Sequence, residues 1–274
     1  MPDMIVVVRC PRCGSIEAES VEAIMVELDR RKCAVCGFEE VCDEHEIKFR
    51  WNDRVSAELV RPGVTSVLPD VRFFELWGAL GGSGSGRDVF ERLRSAYDEP
   101  QRAYHTASHI GACLRLLDEA PVRALAVFPA EVEAALWFHD AIYEPRGADN
   151  EERSAALADE SLRTAGVAPE ARERIVGHIL ATKSHVATSA DALLTVDIDL
   201  SILGTSPATF ERFNRDIRRE YAWVEADAYR VGRAAVLGRF LERPSIFGTA
   251  LFRERFEAQA RENLAMAMAR LSGG

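Results

Sequence analysis

No stretch of this 274-residue chain approaches the roughly 18 consecutive apolar residues that a membrane-crossing helix requires. Residues 1–8 lack the charged lead and long apolar core of a signal peptide, so a soluble cytoplasmic protein with no membrane partner is expected. Positive charge is in short supply too. Lys and Arg number 34 against 44 Asp and Glu, a formal net charge of −10. A chain this acidic is repelled by a phosphate backbone, which disfavours non-specific nucleic-acid binding. Internal repeats are absent, and an apolar share of 47% with a charged share of 28% excludes disorder or a fibre as a description of the whole chain. In the cytoplasm the six cysteines are expected as thiols or metal ligands rather than disulfides.

Four of those cysteines fall in two knuckles, Cys10-Pro11-Arg12-Cys13-Gly14 and Cys33-Ala34-Val35-Cys36-Gly37. A C-x-x-C turn places two sulfurs on one side of a tight bend, and the Gly that follows tolerates a backbone whose amides point at the thiolates. Cys10, Cys13, Cys33 and Cys36 together offer the four soft ligands of a tetrahedral structural zinc. Zinc would also supply folding energy that so small a module lacks in its own core. A redox site needs one C-x-x-C ahead of a helix in a βαβ setting, and two pairs speak against it. The segment resembles a zinc ribbon, with one departure: residues 17–32 are acidic, with helix as an alternative to a hairpin. Cys42 reads as an ordinary thiol, with a substitute zinc ligand as the alternative, and Cys113 as a buried thiol on the apolar face of a helix. Residues 1–51 form the ribbon-like module, and residues 52–70, irregular and carrying Pro62, Gly63 and Pro69, a linker. Residues 1–50 hold seven basic and eleven acidic side chains, so docking of a protein partner, or self-docking, is expected rather than a grip on DNA.

Residues 71–274 read as a helical domain, almost all of it helix beyond residue 87, which makes the protein mainly α: an all-helical bundle preceded by the small cysteine module. Phe73, Leu76, Trp77 and Leu80 recur at helical spacing, as do Val89, Phe90, Leu93 and Tyr97. Between them residues 81–86, Gly-Gly-Ser-Gly-Ser-Gly, form a flexible loop. Ile110, Cys113, Leu114 and Leu117 repeat the pattern, and so do Val132, Ala135, Leu136 and His139. Pro169 opens a helix through Ile175, Ile179 and Thr182. Further helices are expected over residues 154–165, 210–221, 229–241 and 252–271.

Several polar residues sit on these apolar faces. His139 shares a face with Ala135, Leu136, Ile142 and Tyr143 and points inward, with Asp140 about 100° further round the same helix. Such a pair can be no more than a core histidine with its hydrogen bonds satisfied. Two other groups join it, however. His109 is in register with Cys113 and Leu116, with His105 one turn earlier. Asp199 forms an i, i+3, i+4, i+7 set with Val196, Leu200 and Leu203, and a carboxylate on a core face is costly unless a cation or donors meet it. Imidazole nitrogens and carboxylate oxygens converging from inward helix faces suit a divalent metal with open water positions. Asp197, on a weaker face with Leu193 and Leu200, is an outer support of the ligands or an alternate ligand.

The order His109 … His139-Asp140 … Asp199 resembles the HD superfamily of metal-dependent phosphohydrolases. More narrowly, five blocks are similar to a bacterial subgroup of HD phosphohydrolases: Tyr104-His105-x3-His109, Phe138-His139-Asp140-Ala141-Ile142-Tyr143, Asp149-Asn150-Glu151-x2-Ser154-Ala155, Thr182-Lys183-x-His185 and Asp197-x-Asp199-Leu200-x-Ile202-Leu203-Gly204. The likeness runs over residues 73–271. It implies an all-helical fold whose ion, Mn, Mg, Fe or Co, is held by His109, His139, Asp140 and Asp199. It also implies hydrolysis of a phosphate ester or anhydride of a small phosphorylated metabolite, a nucleotide before others. Glu151, Asp140 and Lys183 are then the catalytic candidates, and His105, Lys183, His185, Asn150 and Tyr143 the substrate-binding ones.

Plainer readings stand beside these. Asp149 and Glu152 look like the cap and capping box of a helix start around Glu151. Lys183 and His185 end a helix, where cations meet free carbonyls. His178 reads as a core histidine. Arg230, Arg233 and Arg239 form a solvated face, or one of them contacts phosphate. Two other functions remain open: a dinuclear iron oxygenase with His178 or His185 as further ligands, and a non-catalytic nucleotide-binding sensor or adaptor. The cysteine module falls outside the subgroup's pattern, so the resemblance implies nothing about its partner. Elemental analysis of the freshly purified chain is expected to find zinc that is removed by Cys33→Ser with Cys36→Ser; unchanged zinc content in that variant would contradict the ribbon.

Overall fold

The computed structural model describes residues 5–9, 16–20, 31–32, 39–40 and 68–272. The chain divides into two units, Met1–Val67 and Leu68–Gly274, and the division falls inside the expected linker. In the first unit β1 (Ile5–Arg9) pairs antiparallel with β2 (Ile16–Ser20), Val7 opposite Ala18. Likewise β3 (Arg31–Lys32) pairs with β4 (Glu39–Glu40), Arg31 opposite Glu40. Each C-x-x-C falls in sequence between two paired strands. Cys10, Cys13, Cys33 and Cys36, and with them the zinc expectation, lie outside the described residues. The helical alternative for residues 17–32 fails at both ends, because residues 17–20 belong to β2 and 31–32 to β3.

Among the described residues the second unit is all-helical. Its helices are α1 (Asp70–Ala79), α2 (Arg87–Tyr97), α3 (Ala107–Asp118), the single turn α4 (Ala120–Arg123), α5 (Pro129–Phe138) and α6 (Asn150–Thr164). They continue as α7 (Pro169–Ser184), α8 (Ala190–Leu200), a 3-10 turn (Ser201–Gly204), α9 (Pro207–Glu220), α10 (Ala226–Leu241) and α11 (Ala250–Ser272). None of them is long and apolar enough to cross a membrane. Local chemistry sets the starts. Proline opens α5, α7 and α9, where its missing N–H costs nothing. Thr106, Ser189 and Ser206 cap α3, α8 and α9, their hydroxyls accepting from the amides of Ser108, Ala192 and Thr209.

Helix α5 is the centre of this unit, with α1, α3, α6, α7 and α8 packed around it. Val132, Ala134, Ala135, Leu136 and Trp137 are wholly buried, as expected of a helix apolar on every side. Its two buried acids are matched by arginines: Glu131 takes two bonds of 2.7 Å from Arg174, and Glu133 one of 2.7 Å from Arg72. Asp191 of α8 accepts from the amides of Val127 and Phe128 at 2.7 and 2.8 Å and so anchors the entry to α5. At the side, Phe73 meets Trp137 edge-on at 5.2 Å, and the Tyr97 hydroxyl donates to the Trp137 carbonyl at 2.8 Å. The loop at residues 81–86 is fitted to an indole rather than loose. Trp77 Nε1 donates to the Ser83 carbonyl at 3.1 Å, and a Cβ on Gly82 or Gly86 would stand 2.9 Å from the Trp77 side chain.

The end of α8 is fixed with similar closeness. Asn263 of α11 donates to the carbonyls of Leu203 and Thr205, both at 2.8 Å. A Cβ on Gly204 would lie 2.6 Å from Phe256 Cβ and 2.7 Å from its carbonyl oxygen, so only glycine lets the 3-10 turn seat on α11. Gly204→Ala is therefore expected to lower unfolding free energy by about 1–3 kcal/mol through overpacking. Gly177→Ala, on an exposed helix face with open space, should raise it by about 0.5–1 kcal/mol. Denaturant titration of both variants checks this, and a neutral Gly204→Ala would contradict the packing described.

Candidate metal centre

Helix α5 stops at Phe138, and what stops it builds the site. Residue 140 is no longer helical, which differs from the expectation of a continuous helix through His139 and Asp140. On a helix the two side chains would diverge by about 100°. The cause of the break is Arg102, whose side chain is fully buried. Its guanidinium donates to the carbonyls of His105, Asp140 and Ala141 at 3.0, 2.7 and 3.1 Å and pairs with Glu99 at 3.0 Å. Those carbonyls are thereby satisfied outside a helix. In the resulting turn Asp140 Oδ2 comes back to 3.1 Å from its neighbour's His139 Nε2.

Three helices contribute to the cluster. His109 of α3, His139 at the end of α5 and Asp199 of α8 offer donor atoms that all lie within 4.8 Å of one another. His109 Nε2 is 3.2 Å from His139 Nε2 and 3.2 Å from Asp199 Oδ1. His139 Nε2 is 3.6 Å from Asp199 Oδ1. Asp140 stands on the flank of this trio, its Oδ2 3.5 Å from His109 Nε2. Donors about 2.1 Å from a shared ion at angles of 90–110° stand about 3.0–3.4 Å apart, so these separations suit a common divalent ion. The tautomer suits it as well. His139 Nδ1 lies 3.0 Å from the Leu136 carbonyl, which it can reach only as donor, leaving Nε2 to face the cluster.

The charge balance fits the same ion. Burial opposes ionisation of Asp140 and Asp199, yet the imidazoles around them outweigh it and hold both carboxyls well below the ordinary range. Burial also opposes charge on His139, and Asp140 with Asp199 overcomes it, so its pKa stands well above the usual imidazole value. The group draws positive charge into itself. An ion binding here must displace that proton.

Beside the cluster is a second buried acid, Glu220, at the end of α9. Its Oε1 accepts from the backbone amides of Ala103, Tyr104 and His105 at 2.8, 2.7 and 3.0 Å. Its Oε2 lies 2.7 Å from His105 Nδ1 and accepts from the Tyr143 hydroxyl at 2.8 Å. Burial raises its pKa, and His105 with the amides outweighs this and brings it down to about 2. His105 stacks on Tyr143 at 4.1 Å. Burial lowers the His105 pKa, and Asp140 and Glu220 more than reverse the effect, raising it. Glu220 was not among the residues singled out from sequence, although Phe210, Phe213, Ile217 and Glu220 share one buried face and the reasoning used for Asp199 applies to it equally. Arg102 belongs to no periodic pattern and left no such signal.

The other expected site residues divide. His185 joins the rim: it ends α7 in the left-handed region at φ 52°, with Nε2 3.6 Å from Asp199 Oδ2. Glu151 is half-buried in the first turn of α6, and its charge acts on Tyr221 and Lys183. Lys183 is engaged elsewhere, bonded to the Glu152 carboxylate and, at 2.7 Å, to the Ala148 carbonyl. Glu152 thus meets Lys183 instead of closing a capping box, and the Asp149 side chain makes no cap bond. Asn150 ties a loop, its amide bonding both N–H and carbonyl of Glu144 at 3.0 Å. Asp197, the alternate ligand, is turned away. It accepts from the amides of Gly248 and Thr249, both at 2.7 Å, ahead of α11. His178 is buried with Nδ1 unpartnered, under the charges of Asp191 and Glu131 at the opposite end of α5. Among the described residues one group alone has the spacing of metal ligands, and His178 is outside it.

No family model matches the chain, and neither curated proteins nor solved structures give a match. Calorimetric titration with Mn²⁺ is expected to show one ion at this cluster, with affinity falling as pH drops below the raised His139 pKa because protons then compete. Asp199→Asn should weaken binding by more than the roughly 10–100-fold seen for loss of an outer support. Asp197→Asn should leave affinity unchanged while lowering thermal stability. Equal effects of the two would contradict the assignment of ligands.

Proposed function

We propose that this protein is a metal-dependent phosphohydrolase of the HD type, cleaving a phosphomonoester or pyrophosphate bond in a small phosphorylated metabolite, with nucleotides the first class to test. The observation that carries the reading is the convergence of His109, His139 and Asp199 from three helices at separations of 3.2–3.6 Å, with Asp140 on the flank 3.1 and 3.5 Å from the two imidazoles. A structural zinc has soft thiolate ligands, whereas this mixed nitrogen and oxygen set suits Mn, Mg, Fe or Co. The side chains of Asp140 and Asp199 keep 18% and 16% of their surface exposed, so the cluster opens to solvent and a substrate can reach it. A divalent ion bound by these four would supply a Lewis acid that polarises a phosphoryl oxygen and makes water more acidic.

The chain's own groups do the remaining work. Asp140 and Glu220, the latter through Nδ1, raise the His105 pKa and so favour its charged form, which leaves Nε2 to donate a proton to a departing oxygen. Tyr143, bonded to the same carboxylate, fixes the His105 ring from one side. His185 stands at the rim, where it can hydrogen-bond a phosphoryl oxygen. Glu151, half-buried in the first turn of α6, is the group we assign to orienting water. The module at residues 1–51, with zinc at Cys10, Cys13, Cys33 and Cys36, docks a protein partner, and the protein acts in the cytoplasm.

Release of phosphate or pyrophosphate from a nucleotide panel with Mn²⁺ or Mg²⁺ tests the reading. The wild-type chain should turn over at least one substrate, and His139→Ala with Asp140→Ala should reduce the rate by about a thousandfold or more, as loss of the principal electrostatic element does elsewhere. Equal turnover in the double variant would remove the proposal. Tight nucleotide binding with no turnover would favour a sensor instead.

A further inference from the structure

Left-handed backbone belongs to glycine almost everywhere in the helical unit. Helices α1 and α6 run out into Gly81 and Gly166 at φ 76° and 82°, and among the described residues His185 is the one non-glycine residue at positive φ, 52°. A side chain crowds the backbone in that conformation, which is why glycine or asparagine is the usual choice at a helix end. Strain of this kind persists where the side chain has a task. The His185 imidazole stands beside the candidate metal centre, Nε2 3.6 Å from Asp199 Oδ2, and 27% of its side-chain surface is open to solvent. Glycine in its place would keep the turn and lose the ring.

One residue holds this turn from outside. Arg243, in the link between α10 and α11, donates from Nη1 to the His185 carbonyl at 3.0 Å and from Nη2 to the Ser184 carbonyl at 2.9 Å. A planar guanidinium that grips two successive carbonyls fixes their relative orientation, which a point charge cannot do. It also lies 4.8 Å from the centre of the Phe240 ring, and that ring meets His185 edge-on at 5.4 Å. Backbone and ring of His185 are thus held by the same short stretch, residues 240–243. That stretch is itself anchored. Arg261 of α11 donates to the carbonyls of Arg243 and Leu241 at 2.8 and 3.1 Å and pairs with Glu257 at 2.8 Å. Further along the link, the Gly248 and Thr249 amides hold Asp197, two residues before Asp199 on α8. One link therefore clamps both elements that meet at the contact between His185 and Asp199, the end of α7 and the end of α8.

We propose that Arg243 is a positioning residue of the site: it holds the left-handed turn after α7 so that the His185 ring faces a phosphoryl group bound beside Asp199. This rests on the metal-hydrolase reading, and the test separates the two. The variants are Arg243→Ala, Arg243→Lys, His185→Asn, which tolerates the turn but lacks the ring, and His185→Asn combined with Arg243→Ala. Inorganic phosphate is titrated by calorimetry into each Mn²⁺-loaded full chain, and Mn²⁺ into each separately. The His185 ring nitrogens are followed by NMR in the metal-free chain, identified by their loss in His185→Asn. His185→Asn and Arg243→Ala should each weaken phosphate binding about tenfold, with Mn²⁺ affinity unchanged. Because one residue acts through the other, the double variant should bind no more weakly than His185→Asn alone. Arg243→Lys should fall between Arg243→Ala and the wild type, and the His185 signals should shift in Arg243→Ala. Losses that add in the double variant, unshifted His185 signals, or phosphate affinity in Arg243→Ala equal to the wild type would overturn the assignment and leave the metal reading intact. A fall in Mn²⁺ affinity matching that for phosphate in Arg243→Ala also overturns it, since the damage would then be general. Shifted His185 signals in a chain that binds no Mn²⁺ sustain the positioning of His185 and remove the metal reading.

Discussion

One guanidinium decides the shape of this site. Arg102, with no exposed side-chain surface, takes the carbonyls of Asp140 and Ala141 that a longer α5 would have used internally. The helix ends, and two adjacent residues that a helix would point apart come to face one spot. The same arginine sits over the rings of Tyr97 and Tyr143, at 5.3 and 5.4 Å, which joins the aromatic core to the wall of the site. Its donors are matched by three carbonyls and Glu99, so its burial carries no unmet charge.

The framework around the cluster is arranged so that each candidate ligand arrives from a fixed element. Asp199 rides on α8, whose start is capped by Ser189 and whose end is seated by Gly204 and Asn263. Asp191, on the first turn of the same helix, anchors the entry to α5 and so ties together the two helices that carry His139 and Asp199. His109 is on α3, opened by Thr106. With the backbones fixed, two carboxylates and two imidazoles cannot spread apart to relieve their charge, and the raised His139 pKa is the consequence.

Much of this was legible in the residues. Apolar recurrence at helical spacing placed the helices, and polar residues on those faces marked His109, His139 and Asp199 as inward. The same logic misassigned Asp197, because a face argument sees that a carboxylate is buried but not what meets it. Here the partners are the Gly248 and Thr249 amides, brought in by chain folding from some fifty residues away. Asp140 was read in the right place with the wrong geometry: nothing in Leu136-Trp137-Phe138-His139-Asp140-Ala141 signals a helix stop, since the stop is a tertiary contact from Arg102. The glycine-rich loop looked flexible by composition, whereas two of its glycines are there to admit the Trp77 ring. Lys183 and Asn150 lie at helix ends near the site in sequence, and local partners at Glu152 and Glu144 take up their polar atoms.

Diffraction from crystals of the full chain soaked in Mn²⁺, recorded at the manganese edge, bears most directly on the account. It predicts a single anomalous peak in the helical unit, in contact with His109, His139, Asp140 and Asp199, with Asp197 still bonded to its amides. A map with no peak among those four side chains, or with the ion held by other residues, would contradict it.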